Sequence, residues 1–303
     1  MQNTDVNINV NNINNFGNLK DFIPQIDERY CLDPELTKII EAGLDNNLKV
    51  LIHGPHGSGK STHIEQICAK RFLPSIRVNL DTNISRSDLV GKDTISVIDG
   101  KQVISFKEGL IPFAMQNGLV LIMDEYDSAR PETLFVLQKI LEKNGRLFLF
   151  EEGKEIAPHP NFRIFATANT VGLGDDSGFY SGTQVINQSN LDRFDIIAKL
   201  KYQGTEKELE IVQKYFQNLA VQKYKDNDLL KLCVNLGNLL RGSFDNSDLS
   251  VNFSTRTLLS FCKNIEIFND VELSFKLSYL NRLADEDEIK IATELFTKCF
   301  LPL

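Results

Sequence analysis

Short apolar runs alternate with amphipathic stretches along the first two thirds of the chain. Five of these runs predict β-strands, because they are almost continuously apolar, as expected of parallel strands covered on both faces. Helical patterns separate them, so we predict an α/β fold around a five-stranded parallel sheet. The five runs are KVLIH (49–53), SIRVNL (75–80), LVLIM (119–123), RIFAT (163–167) and FDIIAKL (194–200).

Two further segments predict β-hairpins inserted into this α/β part. DTISVIDGKQVISF (93–106) has Asp99-Gly100 between two β-prone runs, which favours a tight turn. GRLFLFEEGKEI (145–156) has Glu152-Gly153 at its turn. From these residues alone, each hairpin is either an ordinary surface turn or a contact for another chain.

The pattern becomes entirely helical after about Gly204. We therefore predict an α/β core over 23–203 and an all-helical lid domain over 204–303. The density of asparagine in residues 1–22 predicts a flexible head, with an added edge strand as the alternative. The helical stretches of the lid are TEKELEIVQKYFQNLA (205–220), NDLLKLCVNLGNLLRGSF (227–244), STRTLLSFCKNIEIF (254–268) and DEIKIATELFTKCF (287–300).

Charge and composition narrow the classes of function. The 303 residues carry a formal net charge of −8, whereas nucleic-acid-binding proteins normally show a basic excess. The chain has no apolar run long enough to span a membrane, and its first residues carry neither a basic cluster nor an apolar block, so we expect no secretory signal. Its cysteines are scattered, which is typical of reduced thiols in the cytosol. We expect a cytoplasmic protein without membrane or nucleic-acid partners.

The segment GPHGSGKS (54–61) fits the phosphate-binding pattern G-x-x-x-x-G-K-[ST]. It follows an apolar strand and opens the helical stretch THIEQICAKRF (62–72), as that motif requires. Lys60 is expected to reach the β- and γ-phosphates of ATP, and Ser61 to bind Mg²⁺. The residues expected to contact the nucleotide are Gly54, Pro55, His56, Gly57, Ser58, Gly59, Lys60, Ser61 and Thr62.

Three histidines, His53, His56 and His63, lie in or beside this turn. They are either a metal site or locally packed side chains. The tight turn separates their rings, so we favour local packing.

Carboxylates and an amide follow two later strands. Asp124 and Glu125 end the strand LVLIM, where Asp124 is placed to hold Mg²⁺ and Glu125 to polarise the attacking water. Asn169 follows the strand RIFAT and is expected to hold the same water from the other side. These residues predict ATP hydrolysis.

Two arginines complete the candidate site. Arg193, in LDRFD, has no evident role within one chain, but it is placed to reach the γ-phosphate of a neighbouring copy. Arg256, at the start of a lid helix, is placed to sense the γ-phosphate and to couple hydrolysis to lid rotation. The alternative for both is a purely structural contact.

In this order the motifs resemble the AAA+ ATPases, and within them the clade with two hairpin inserts that includes MoxR-type proteins and the magnesium-chelatase ATPase subunit. Longer strings, from about residue 23 into the lid, resemble the small ATPase subunits of aerobic cobaltochelatase. These strings are GPHGSGKSTHIEQI (54–67), VNLDTNISRSDLVGKDTI (78–95), DGKQV (99–103), DEYDSARPETLFVLQKILE (124–142), PHPNFRIFATANTVGLGD (158–175) and GTQVINQSNLDRFDI (182–196).

The resemblance implies an AAA+ P-loop core with a helical lid, and a hexameric ring with ATP at each interface. It also implies two partners: a subunit with an integrin-like metal-binding domain, and a large subunit that holds the tetrapyrrole and Co²⁺. Together they insert cobalt into hydrogenobyrinic acid a,c-diamide during cobalamin synthesis. In that setting the two hairpins are favoured as contacts with a partner or the ring's pore.

Two other functions remain open from the residues alone. One is a MoxR-like chaperone that assembles a different metalloprotein, which the nucleotide motifs do not distinguish from a chelatase motor. The other is a DNA-remodelling ATPase with the same hairpin inserts, which the acidic charge balance disfavours.

Overall fold

A computed structural model describes residues 18–80, 84–98, 101–170, 188–217, 219 and 226–300. Its central sheet has five parallel strands in the order β2-β5-β8-β1-β9. This confirms the predicted α/β fold and all five predicted strands. The strands are β1 (Val50–His53), β2 (Ser75–Asn79), β5 (Val120–Asp124), β8 (Arg163–Ala168) and β9 (Ile196–Lys199).

The central strands are apolar on both faces because helices cover both faces. Every residue of β1 and β5 is buried. On one face the strands pack against α1 (Pro34–Asn46) and α2 (Lys60–Lys70), and on the other against α4 (Leu110–Asn117) and α5 (Pro131–Leu141). Successive strand residues therefore alternate between two separate hydrophobic cores.

The two predicted hairpins are present. The first pairs β3 (Gly91–Ile98) with β4 (Lys101–Glu108), and the turn at Asp99-Gly100 lies outside the described residues. It joins α3 (Arg86–Val90) to α4. The second pairs β6 (Leu147–Leu149) with β7 (Lys154–Ile156). Its turn contains Gly153 at φ +60°, a conformation that glycine adopts without a steric penalty.

The C-terminal part consists of helices packed around their own hydrophobic core. The helix over Val271–Ser278 was not predicted, although Asp270 caps it by accepting a hydrogen bond from the backbone of Leu273 at 2.9 Å. Among the described residues, no helix is long and apolar enough to cross a membrane. The helices after β8 are α6 (Gln188–Leu191), α7 (Thr205–Tyr215), α8 (Asp226–Asp245), α9 (Thr255–Phe268), α10 (Val271–Ser278) and α11 (Glu286–Phe300).

The α/β core was predicted to begin at residue 23, but residues before that position already pack against it. Leu19–Phe22 form a short 3₁₀ helix, and Leu19 and Phe22 pack against the core. The Phe22 ring lies 5.3 Å from that of Phe113. These four residues fell inside the predicted flexible head, because a single apolar pair gives no periodicity to recognise.

Phe165, fully buried in β8, provides a test of this packing. We expect Phe165→Ala to lower the free energy of unfolding by about 3–5 kcal/mol, since it removes a large core side chain. The matched control is Phe135→Ala, because the Phe135 side chain is 66% exposed. It should change stability by no more than about 0.5 kcal/mol. Urea unfolding followed by circular dichroism measures both, and equal losses would contradict the packing described.

Candidate functional site

The phosphate-binding loop joins the end of β1 to the start of α2. Three of its glycines have positive φ: Gly54 at +153°, Gly57 at +72° and Gly59 at +92°. At Gly54 a Cβ would lie 2.1 Å from the carbonyl oxygen of Leu200, so no other residue fits without moving the backbone. The loop can therefore fold tightly enough for its N–H groups to surround an anion.

Lys60 is buried beneath this loop. Its Nζ donates to the carbonyl oxygens of Gly54 at 2.7 Å and Pro55 at 3.0 Å, and to Asn169 Oδ1 at 3.0 Å. Burial lowers the pKa of Lys60 to about 8, even though the carboxylates of Asp124 and Asp127 act to raise it. The ammonium group of Lys60 is thus held in place by three hydrogen bonds, and the nearby carboxylates balance only part of its charge.

Asp124 is a negative centre at the end of β5. Its Oδ1 accepts hydrogen bonds from Ser61 Oγ at 2.6 Å and from Thr167 Oγ1. Its Oδ2 accepts from Arg77, whose Nε lies 2.8 Å away. Burial alone would raise the pKa of Asp124, but these hydrogen bonds outweigh it and hold the pKa below its usual value. The Ser61 hydroxyl and the Asp124 carboxylate are oxygen ligands of the kind that Mg²⁺ prefers, so the pair fits that ion.

Glu125 and Asn169 lie beside this pair. Glu125 has a left-handed backbone, with φ 55°, and its half-buried side chain lines the same cavity as Lys60. The backbone at Asn169 is fixed by Asp127, whose Oδ2 accepts from the N–H groups of Asn169 at 3.0 Å and Thr170 at 2.8 Å. Asp127 therefore fixes the backbone position from which the Asn169 side chain extends.

Two adjoining cavities meet at the phosphate loop. The first, of 370 Å³, is lined by five of the candidate site residues: Lys60, Ser61, Asp124, Glu125 and Asn169. His56, Gly57, Gly59 and Thr62 also line it. The second, of 270 Å³, lies between the loop, the residues before α1 and the helices of the lid, where Ser58 lines its wall. Gly54 and Pro55 line neither of these two cavities; they line a third cavity, of 610 Å³, together with Tyr202 and Arg241.

The lid reaches into the first cavity through Arg256, near the start of α9. The Arg256 guanidinium donates to His56 Nε2 at 3.3 Å, and its side chain lines the cavity together with Lys60. The lid also touches the loop backbone, since a Cβ on Gly57 would lie 2.6 Å from Ser254 Oγ. Loop and lid are therefore in direct contact at the tip of the loop.

Arg193 is not brought to this cavity. It lies between α6 and β9, where its guanidinium donates to the carbonyl oxygen of Ser189. Of the predicted catalytic residues, Arg193 is thus the one that lies apart from the phosphate loop of its own chain.

The histidines near the loop have separate surroundings. His63 Nε2 lies 3.0 Å from Thr37 Oγ1, and its ring meets that of Tyr30 edge-on at 5.7 Å. Burial lowers the pKa of His63 to about 4. In the part of the chain that the structure describes, no group of three or more His, Cys, Asp or Glu side chains is arranged to hold a metal ion.

Three residues at the site were missed by sequence reasoning: Arg77, Asp127 and Thr167. Arg77 and Thr167 act through Asp124 on a neighbouring strand, and Asp127 acts through the backbone that follows β8, so each role depends on which strands lie side by side. Asp127 had the clearest signal, since it follows the carboxylate pair Asp124-Glu125 in DEYD. Arg77 and Thr167 carry no local signal, because they lie within strands.

Comparison with known proteins places these features in a wider context. Residues 49–194 match the family model of an AAA domain of the dynein-related subfamily. The chain is 44% identical to an aerobic cobaltochelatase subunit CobS from Sinorhizobium sp over 279 residues, covering 92% of this chain and 83% of that protein. It is also 30% identical to midasin from Dictyostelium discoideum over 59% of this chain but only 3% of midasin. An uncharacterized protein of Staphylococcus aureus is 28% identical over 82% of this chain and 89% of its own length.

Gly57 tests the contact between loop and lid. We expect Gly57→Ala to weaken binding of an ATP analogue at least about tenfold, because it combines φ +72° with a clash at Ser254 Oγ. Gly153→Ala is the matched control, since Gly153 has a similar φ of +60° and no atom within 4 Å of the added Cβ. It should leave affinity within about twofold. Equal affinities in titration calorimetry would contradict the described loop geometry.

Proposed function

The chain belongs to the family of the aerobic cobaltochelatase subunit CobS, and from that membership we propose that it is the ATP-hydrolysing AAA+ motor subunit of such a chelatase. The observation that carries the proposal is the cavity in which Lys60, Asp124, Glu125 and Asn169 meet an arginine from the lid. In this proposal residues 23–203 form the ATPase core, with Leu19–Phe22 packed against it, and residues 204–303 form the lid.

One nucleotide would extend across both cavities, with its phosphates in one and its base and sugar in the other. Lys60 and the loop N–H groups bind the phosphates in the 370 Å³ cavity. The base and sugar occupy the adjoining 270 Å³ cavity, where Tyr30 and Tyr215 supply aromatic surface and Leu259 supplies apolar surface. A triphosphate therefore lies with its reacting end towards Asp124 and Glu125.

The chain's own residues supply the hydrolytic chemistry. Glu125 orients the attacking water and accepts its proton, and Asn169 fixes the water from the adjacent strand. Lys60 and Arg256 stabilise the negative charge that develops on the transferred phosphoryl group. Ser61 and Asp124 would hold Mg²⁺, which when bound adds positive charge against the phosphate oxygens.

Hydrolysis is shared between copies of the chain in a ring, which we propose to be hexameric. Arg193, which lies outside its own phosphate cavity, supplies positive charge to the γ-phosphate of a neighbouring copy. Cleavage of the γ-phosphate removes the group that Arg193 contacts, and this changes the interface between adjacent copies. The partners are a subunit with an integrin-like metal-binding domain and a large subunit that holds the tetrapyrrole.

The ring drives insertion of Co²⁺ into hydrogenobyrinic acid a,c-diamide on the large subunit, in cobalamin biosynthesis. The hairpins are the proposed contact elements, and the β3–β4 hairpin supports this with Ile95, Val97 and Ile104, whose side chains are 68–70% exposed.

Cobalt insertion by the reconstituted three-subunit mixture tests this function. We expect Lys60→Ala to lower the insertion rate at least about 100-fold, because Lys60 acts on transferring charge in a buried site. Lys143→Ala is the control, since Lys143 is exposed on the surface. Full insertion activity with the Lys60→Ala chain would refute the motor role.

Mixing two inactive variants tests the shared site. Arg193→Ala should still bind ATP but lose about 10³-fold or more in hydrolysis, as expected for an arginine supplied in trans. Glu125→Gln should also be inactive. Mixed rings place an intact Arg193 against an intact Glu125 at some interfaces, so hydrolysis should partly recover. No recovery at any mixing ratio counts against a site completed by a second copy.

A further inference from the structure

The segment that joins the α/β core to the lid also contacts the phosphate loop. This segment, residues 200–204, runs from β9 to α7. The Leu200 N–H donates to the carbonyl oxygen of His53 at 2.8 Å, just before the loop. The Tyr202 hydroxyl donates to the carbonyl oxygen of His56 at 2.8 Å, near the loop's tip. A change in the shape of the loop would therefore move the segment that leads into the lid.

Tyr202 is in turn held by a buried ion pair of the lid. The Arg241 guanidinium lies over the Tyr202 ring, 4.5 Å from its centroid. The same guanidinium binds both oxygens of Glu208, at 2.6 and 2.8 Å, and Glu208 is 0% exposed. A two-pronged pair of this kind fixes orientation as well as distance. Its location makes it costly to disturb, because separating the partners would leave a buried charge uncompensated.

The ion pair also fixes the beginning of α9. Arg241 Nε donates to the carbonyl oxygen of Phe253 at 2.7 Å, and Thr255 Oγ1 donates to Glu208 Oε1 at 2.8 Å. These two contacts bracket Ser254, the N-cap of α9, and leave Arg256 one residue further along. Asn252, which immediately precedes Phe253, also links this region to Tyr202, because its side-chain amide donates to the Tyr202 hydroxyl at 3.2 Å.

We propose that Tyr202 and the Arg241–Glu208 pair are positioning residues that hold Arg256 over the phosphate cavity, so that loop shape and lid orientation change together. Arg241 and Glu208 line neither of the two nucleotide cavities, and Tyr202 lines the 270 Å³ cavity but not the 370 Å³ cavity that holds the phosphates. Tyr202 is the link to the loop, and the ion pair is the rigid body to which Tyr202 and the start of α9 are both attached. This inference rests on the proposed ATPase function for its catalytic consequence, although the contacts exist without nucleotide.

Tyr202→Phe removes the link while keeping the ring that stacks on Arg241. In the nucleotide-free protein, we expect the backbone amides at the start of α9, at Thr257 and Leu258, to exchange with solvent about tenfold faster than in wild type. Amides of α11 should be unchanged. Tyr215→Phe is the matched control, because it removes a different lid-to-core hydrogen bond, from Tyr215 to Asp27 at 2.6 Å. It should leave the start of α9 unaffected.

A double-mutant cycle with Arg256→Ala tests the catalytic consequence. Tyr202→Phe should lower kcat for ATP hydrolysis about tenfold with KM within about twofold, since it misplaces a group used in the transition state. In the Arg256→Ala background the same change should have almost no further effect. Equal losses in both backgrounds would overturn the positioning role.

The two proposals fail differently. Unchanged amide exchange at the start of α9 in Tyr202→Phe overturns the positioning inference, whether or not the protein hydrolyses ATP. A wild-type protein that hydrolyses no ATP, alone or with its partners, overturns the proposed function. In that case faster exchange in Tyr202→Phe still supports the mechanical link.

Discussion

The buried ammonium group of Lys60 is the constraint around which the nucleotide site is arranged. A cation removed from water needs oxygen partners, and here they are two carbonyls of its own loop and the amide of Asn169. The carbonyls require a tight loop, which explains the glycines with positive φ. The amide requires β8 to lie next to β1 in a fixed register, with His53 paired to Ala168. The order of the strands therefore both builds the hydrophobic core and places a hydrogen-bond partner beside the Lys60 ammonium group.

The opposite charge is placed by the same sheet. The pairing of β5 with β8 sets Met123 opposite Ala166, so Asp124 comes beside Thr167, and the pairing of β2 with β5 brings Arg77 within reach. Positive and negative centres thus face one cavity from adjacent strand ends, where ligands bind in open parallel sheets. Arg256 enters this field from the lid and makes it sensitive to lid orientation. Within one chain, the field is built without Arg193.

Much of the fold could be predicted because its signals are local. The five strands are continuous apolar runs, and the glycine loop and the carboxylate pair have fixed spacing. What escaped prediction depends on tertiary partners: Asp127 matters through residues 42 and 43 positions away, and Tyr202 through a carbonyl 146 positions away. The helix α10 was missed for a different reason, since its eight residues are too few for a clear period. Composition gave no warning of the Arg241–Glu208 pair, because ion pairs form between residues that look like ordinary surface charges.

The proposed function requires that adjoining copies of this chain complete one another's site. The most direct measurement is the ATP hydrolysis rate per chain as a function of chain concentration, with the oligomeric state followed by sedimentation in the same buffer. The account predicts a rate per chain that rises with concentration and levels off once the ring has formed. A rate per chain that stays constant while the protein sediments as a monomer would contradict it.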